Sequence, residues 1–310
     1  MDIGRIYGSD AFNRGRRNVR GGGDAGETNG TKLGSVPELP EVETIRQELE
    51  PALVGKTIRS AEIRDQRLTR PDTAELLSGA LRGEVVAGLG RRGKYLLLGF
   101  ESGRTLVIHL RMTGSFSYRR RGDITISHER ARLVLDDGGE LVYRDVRRFG
   151  TWQLLEPREL EEYLSARVGP EPLASDFTPG LLAGRLAGRR TALKAALLDQ
   201  RTLAGLGNIY VDEALWAAHL HPATAAGSLS QQTITRLHGA IRETLALGIA
   251  RRGSTLRDYA LPSGESGLMQ DEFRVYGREG EPCERCGTRI AKTRIAGRGT
   301  WFCPRCQRRR

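Results

Sequence analysis

The sequence predicts an α+β protein in three parts: a β-sandwich with helical cover, a helical half, and a small cysteine-bearing module at the C-terminal end. Three observations carry that reading. Apolar spacing is helical over residues 41–54, turns to short strand-like runs until about residue 157, and is helical again between 191 and 250. Gly169-Pro170-Glu171-Pro172 interrupts the chain between the two regimes, because two prolines disfavour continued regular structure. All four cysteines lie beyond residue 282.

Each element has its own signal. Residues 1–36 hold Gly21-Gly22-Gly23, scattered Arg, Asn and Thr, and few apolar residues in any period, so a disordered extension is expected. They lack the apolar run of a secretory signal, and Asp2, Asp10, Asp24 and Glu27 suit a mitochondrial presequence poorly. In residues 41–54, Val42, Ile45, Leu49 and Leu53 recur at three- and four-residue steps, and Gly55 supplies a stop. Lys94-Tyr95-Leu96-Leu97-Leu98 and Thr105-Leu106-Val107-Ile108-His109-Leu110 read as buried strands. Residues 132–135 and 141–143 flank Asp136-Asp137-Gly138-Gly139, a hairpin signal. Beyond the prolines, helices are expected over 191–200, over 209–220 and over 230–250. His221-Pro222 ends the second, and the third carries Ile234, Leu237, Ile241, Leu245 and Ile249 on one stripe. Between the first two runs Leu203-Ala204-Gly205-Leu206-Gly207-Asn208. Its glycines suit either a tight helix–helix turn or a close approach of backbone N–H groups to a phosphate.

Composition narrows the function classes. Hydrophobic residues make up 38% and charged residues 28%, as in a soluble globular protein, and no run approaches a membrane span. The net charge is +11, and it is concentrated: residues 283–310 hold nine Lys or Arg against one acid, Glu284. A compact basic end reads as an electrostatic footprint for phosphates. Cys283-x-x-Cys286 and Cys303-x-x-Cys306 stand sixteen residues apart, the spacing of a zinc ribbon. Two disulfides are the competing reading, but they want a secretory context. One zinc ion held by four thiolates keeps no open position, so its role would be structural.

The most specific block is Pro37-Glu38-Leu39-Pro40-Glu41-Val42-Glu43. With Gly93-Lys94-Tyr95-Leu96, His109-Leu110-Arg111-Met112-Thr113-Gly114, Arg147-Arg148-Phe149-Gly150, Gly207-Asn208-Ile209-Tyr210, Val275-Tyr276-Gly277-Arg278 and the zinc ribbon, it resembles the formamidopyrimidine-DNA glycosylase family. The motifs stand in that family's order and span nearly everything after Val36. The resemblance implies an N-terminal β-sandwich domain with flanking helices over 37–157 and a helix–two-turn–helix domain over 168–262. A β-ribbon zinc finger follows over 273–310, and double-stranded DNA binds across the cleft between the halves. It implies a bacterial, cytoplasmic base-excision enzyme, monomeric by default, that acts on DNA with oxidised bases or abasic sites.

By the same resemblance Pro37 is the nucleophile, through the secondary amine it has when it is the first residue. Here Pro37 follows Val36 through a peptide bond, and an acylated proline nitrogen has no available lone pair. A valine stands where the family has its initiator methionine, so a true start near residue 36 is expected. Glu38 is implied as general acid/base, the alternative being a solvent-facing carboxylate favoured by the helix dipole, a role that suits Glu41 better. Lys94 is implied to meet phosphate near the lesion; alone it would read as an edge-strand charge. His109, Asn208, Tyr276, Lys292 and Arg298 match phosphate-binding positions, with Lys94 and Arg298 beside the chemistry. Met112 and Phe149 match residues inserted into the vacated stack, and Arg147 one that addresses the estranged cytosine. The family's usual proline in this loop is replaced by Val146. The segment 254–273 resembles a loop that covers the flipped base. Three readings follow: an oxidised-purine glycosylase and lyase, a relative preferring oxidised pyrimidines, and a non-catalytic damaged-DNA binder.

Overall fold

The computed structural model describes residues 36–120, 127–256 and 261–309. The expected extension lies outside these up to residue 35, as do residues 257–260 of the segment 254–273.

The first half opens with helix α1 (Leu39–Leu53), two residues earlier than periodicity alone suggested because Pro40 sits in its first turn, where a missing N–H costs nothing. Strands β1 (Ile58–Ile63), β2 (Val86–Arg92), β3 (Tyr95–Phe100), β4 (Thr105–His109), β5 (Gly114–Arg120), β6 (Glu129–Leu135), β7 (Gly139–Asp145) and β8 (Thr151–Leu155) follow, with helix α2 (Ala74–Leu81) between β1 and β2. They form two antiparallel four-stranded sheets, in orders β1-β6-β7-β5 and β2-β3-β4-β8. Val42, Ile45, Leu49 and Leu53 of α1 join the core between the sheets, with Leu96, Leu98, Ile108, Phe116, Tyr143 and Trp152. The expected hairpin forms between β6 and β7, closed by Gly138 at φ 83° and by the Gly139 N–H donated to Asp137 Oδ1. β3 and β4 are interior strands of their sheet, which is why their apolar runs do not alternate.

Helix α3 (Pro157–Ser165) leads out of the sandwich. The helical half contains α4 (Pro179–Leu186), α5 (Leu193–Leu198), α6 (Asn208–Ala217) and α7 (Gln231–Ala250). The helix expected over 191–200 is shorter because Ala192 is extended and bridges Ala225. The one expected over 209–220 stops early, where His219 takes φ 56°. Strands β9 (Ala291–Ile295) and β10 (Arg298–Phe302) form the terminal ribbon. Its Cys283, Cys303, Ile290 and Trp301 share one core with α4 to α7.

The halves are stitched at the start of α1. Leu39 packs in the helical core, and its N–H donates to the Gly205 carbonyl (3.0 Å). A Cβ at Gly205 would fall 2.5 Å from Leu39, so only glycine admits this approach. A second tie is Glu171, between the two prolines. Its carboxylate accepts from Arg91 (2.9 Å), from Arg92 (2.9 Å) and from the Gly93 N–H (2.5 Å).

Candidate active site

The chain reversal between β2 and β3 is a two-residue turn, Gly93-Lys94, with Gly93 at φ 58°. Lys94 is therefore at a hairpin tip beside an interior strand, not on an exposed edge. The tip abuts the helical half, and Lys94 faces a cavity of about 640 Å³ between the halves. The cavity is lined by Glu38, Lys94, His109, Met112, Phe149, Asn208, Tyr276 and Arg298. Eight residues singled out in the sequence thus converge from both halves and from the terminal ribbon. Pro37 is buried between Glu38 and a further lining residue, Val36. Arg147 is exposed next to the cavity, its guanidinium 4.9 Å from the centre of the Phe149 ring. Lys292 is not among the lining residues; its ammonium lies 3.3 Å from Glu279 and 5.3 Å from the Trp301 ring.

Glu38 does not face solvent. Its carboxylate accepts the N–H groups of Gly207 (2.6 Å), Ile209 (2.9 Å) and Tyr210 (3.4 Å), so it occupies the N-terminus of α6. A Cβ at Gly207 would lie 2.3 Å from the Glu38 carboxyl carbon. The glycines of the connecting loop therefore bring a carboxylate, not a phosphate, against this helix end. Burial raises the Glu38 pKa to about 7, against the opposing pull of Lys94; neighbouring Glu41 adds to the rise and the backbone donors reduce it. Glu41 is likewise buried and accepts from the Tyr210 hydroxyl (2.8 Å), the Ser254 N–H (2.8 Å) and the Glu38 N–H (3.0 Å). It joins α1 to α6 and to the segment after α7, which nothing in local sequence indicates.

Elsewhere the lining carries three cationic side chains, Lys94, Arg111 and Arg298. Burial lowers the Lys94 pKa, with Arg298 acting in the same sense and Glu38 and Glu41 opposing. Burial, then Arg111 and Lys94, push His109 down to about 3, so its imidazole is neutral. His109 Nδ1 accepts the Arg111 N–H (3.0 Å), which leaves Nε2 as the protonated nitrogen. Burial pushes Tyr276 up to about 12. Arg298 opens β10, and the next residue holds it in place. The Gly299 carbonyl accepts from Asn208 Nδ2 (3.0 Å) and from buried Lys194 Nζ (2.8 Å), while Lys194 also pairs with Asp212 (3.0 Å). Sequence reasoning missed Lys194, Asp212 and Glu213. Their signal was a charge inside apolar helical runs, Leu193-Lys194-Ala195 and Val211-Asp212-Glu213-Ala214. Gln200, another missed residue, lines the cavity and braces the glycine loop by accepting the Gly205 N–H (2.9 Å).

The four cysteine sulfurs lie within 4.8 Å of one another, with Cys283–Cys306 at 4.0 Å and Cys286–Cys303 at 3.5 Å. A disulfide needs about 2.05 Å, whereas the edges of a tetrahedron with Zn–S near 2.3 Å measure roughly 3.8 Å. The donor set fits one structural zinc. Among the described residues, no helix is long and apolar enough to cross a membrane.

Comparison with known proteins agrees with this architecture. The formamidopyrimidine-DNA glycosylase N-terminal domain matches residues 36–152, the H2TH domain of the same enzymes matches 168–260, and the zinc finger found in FPG and IleRS matches 280–309. Formamidopyrimidine-DNA glycosylase of Symbiobacterium thermophilum is 50% identical over 275 residues, covering 88% of this chain and 89% of the relative. The chain belongs to the formamidopyrimidine-DNA glycosylase family. The Bacillus subtilis member is 46% identical over 88% of this chain and 99% of its own length. A point mutant of the Lactococcus lactis enzyme in complex with Fapy-dG-containing DNA superposes with a TM-score of 0.83 at 42% identity, over 88% of this chain and 100% of that one. MutM in complex with carbocyclic 8-oxo-G DNA gives 0.82 at 42% identity, with the same coverage. The chain is thus a DNA glycosylase by family, an α+β protein with an H2TH domain and a zinc finger.

Proposed function

We propose that this glycosylase removes oxidised purines, 8-oxoguanine and formamidopyrimidines, from duplex DNA and then cuts the strand as an abasic-site lyase. The reading rests on one observation: a buried carboxyl with a pKa of about 7, Glu38, adjoins Pro37 in a cavity whose other charged lining residues are Lys94, Arg111 and Arg298. An α-amino group titrates near ~7.7–8.0, so a free N-terminal amine is a competent nucleophile at neutral pH. The Pro37 nitrogen attacks the anomeric carbon, the bond to the base breaks, and the base leaves with its electron pair and takes up the proton that the amine gives up. Glu38, held partly protonated by burial, gives its proton to the ring oxygen as the sugar opens and the nitrogen–carbon iminium forms. The iminium acidifies the adjacent C–H, and β- then δ-elimination expels the two phosphates. Lys94, His109, Asn208, Tyr276 and Arg298 suit the phosphates flanking the flipped nucleotide, neutral His109 as a donor through Nε2. In this reading Met112, Arg147 and Phe149 fill the vacated stack, and Lys292 contributes to the basic surface outside the cavity.

Borohydride trapping tests the chemistry, because only an iminium is reduced to a covalent protein–DNA adduct. The chain starting at Pro37 is expected to give that adduct and the 310-residue chain none, since Pro37 is acylated there. An equal yield from both removes Pro37 as nucleophile and leaves a binder or another amine. A panel of lesion duplexes separates purine from pyrimidine preference. That arm matters because the Lactococcus lactis enzyme has also been solved with an oxidized pyrimidine containing DNA.

A further inference from the structure

The loop between β7 and β8 carries an exposed phenylalanine, Phe149, which is 51% accessible and not held by packing of its own. The loop's ends are fixed by Asp145. Its Oδ1 accepts the Thr113 hydroxyl (2.5 Å) and the Arg147 N–H (3.2 Å), and its Oδ2 accepts the Gly150 N–H (2.8 Å). Gly150 leaves no slack, since a Cβ there would sit 1.9 Å from the Tyr143 hydroxyl. None of these contacts reaches the middle of the loop. There Arg148 takes φ 59°, a left-handed conformation that costs energy for any residue but glycine. Its guanidinium makes two bonds to Asp65, Nε to Oδ2 at 2.5 Å and a terminal nitrogen to Oδ1 at 2.8 Å. Asp65 lies 83 residues earlier, after β1, and is 3% exposed. It also accepts the Arg67 N–H (3.2 Å), and Arg130 stands 4.0 Å away while donating to the Asp145 carbonyl (2.9 Å). The forked pair therefore ties the strained residue just before Phe149 to a buried, immobile anchor.

We propose that Asp65 is a positioning residue for base flipping: by holding Arg148 in its left-handed conformation, it aims Phe149 and Arg147 at the duplex. The proposal rests on the reading of Phe149 as an inserted side chain. Without the anchor, Arg148 relaxes to negative φ and Phe149 swings away, while the phosphate-binding walls of the cavity stay as they are.

The test uses the full 310-residue chain, in which acylated Pro37 leaves the DNA uncut. A duplex carrying a tetrahydrofuran abasic analogue beside 2-aminopurine reports insertion as a fluorescence rise, and anisotropy on an undamaged duplex reports phosphate binding. Asp65→Asn is expected to slow the rise on the order of ten- to a hundredfold, the scale of an ångström-level misplacement, with undamaged-duplex affinity unchanged within about twofold. Asp65→Glu keeps the charge but shifts the fork by one carbon, and is expected to fall between Asn and the parent. Phe149→Ala should abolish the rise, and adding Asp65→Asn to it should change nothing further, because the rise reports insertion of the Phe149 ring. A normal rise in Asp65→Asn alongside a lost rise in Phe149→Ala overturns the role of Asp65 and leaves the insertion reading standing. Loss of undamaged-duplex binding in parallel also overturns it, as that marks a general structural role. A normal rise in Phe149→Ala overturns the insertion reading itself, and the role of Asp65 with it.

Discussion

Glu38 and Glu213 are two buried carboxylates that use the same device at different places. Glu38 accepts three N–H groups at the start of α6; Glu213, on α6 itself, accepts those of Arg274 (2.9 Å), Val275 (3.0 Å) and Tyr276 (2.8 Å). Burial raises both above the ordinary glutamate range, while the backbone donors pull the other way. The difference lies on the far side of each carboxyl. Glu38 opens on a cavity, next to Pro37 and under the influence of Lys94, whereas Glu213 sits in the joint between α6 and the segment leading to the zinc module. A carboxylate held by backbone donors is a clasp; the same clasp at a cavity wall, with a pKa near neutrality, is the proton source in the reaction proposed above.

That contrast can be broken by experiment. In the chain starting at Pro37, Glu38→Gln removes the proton source and is expected to lower the single-turnover rate by about 10²–10⁴-fold. Glu213→Gln is expected to act mainly on stability, since one backbone N–H loses its acceptor at about 1–3 kcal/mol, or several degrees in Tm. Equal rate losses in both would erase the distinction. Chelation of zinc comes next in size. It should unfold the terminal module, move Arg298 out of the cavity and weaken damaged-DNA binding, while the sandwich keeps its β-sheet circular dichroism.

The pH dependence of stability sharpens the comparison further. A carboxyl whose folded pKa is raised binds its proton more tightly when folded. Glu38 therefore supports folding below its unfolded value of 4.5, and that support is lost as pH rises to about 7. The size is about 3 kcal/mol at most by linkage. Denaturant titrations at pH 5 and pH 8 should show a smaller loss in Glu38→Gln than in the parent; identical losses would mean that Glu38 is ionised throughout. The smallest expected effect separates two cations of the terminal ribbon. Arg298→Ala should flatten the salt dependence of binding by about one unit of slope. Lys292→Ala should do less, because its ammonium already faces Glu279.

Much of the framework was readable residue by residue. The stripe of α1, the long stripe of α7, the β6–β7 hairpin and the cysteine pairs all formed where their local signals stood, because each signal concerns neighbours within a few residues. Strands β1, β2, β5 and β8 were missed; Val86–Arg92 carries two glycines and two arginines, and Gly114–Arg120 mixes small and charged residues. Only their partners make them strands. α2, α3 and α4 were missed although Thr73 and Thr178 cap α2 and α4 and Glu156 makes a capping box for α3, as short helices carry few turns from which to read a period. In the site, the residue types were visible but their states were not. Glu41 read as a surface carboxylate and is a buried junction. Asp65 carried no signal, because the bond that matters reaches across 83 residues.

What sequence alone determined is local chemistry: four thiols spaced for one metal, a proline that can be a nucleophile only with its nitrogen free, and a helix whose apolar stripe starts at Val42. What the tertiary structure decided is the raised pKa of Glu38, the neutrality of His109 and the placement of Phe149 beside the cavity. Each depends on water being excluded, or a partner supplied, by segments far away along the chain. Gly207 meets Glu38 across 169 residues, and no local pattern encodes the desolvation that this contact brings.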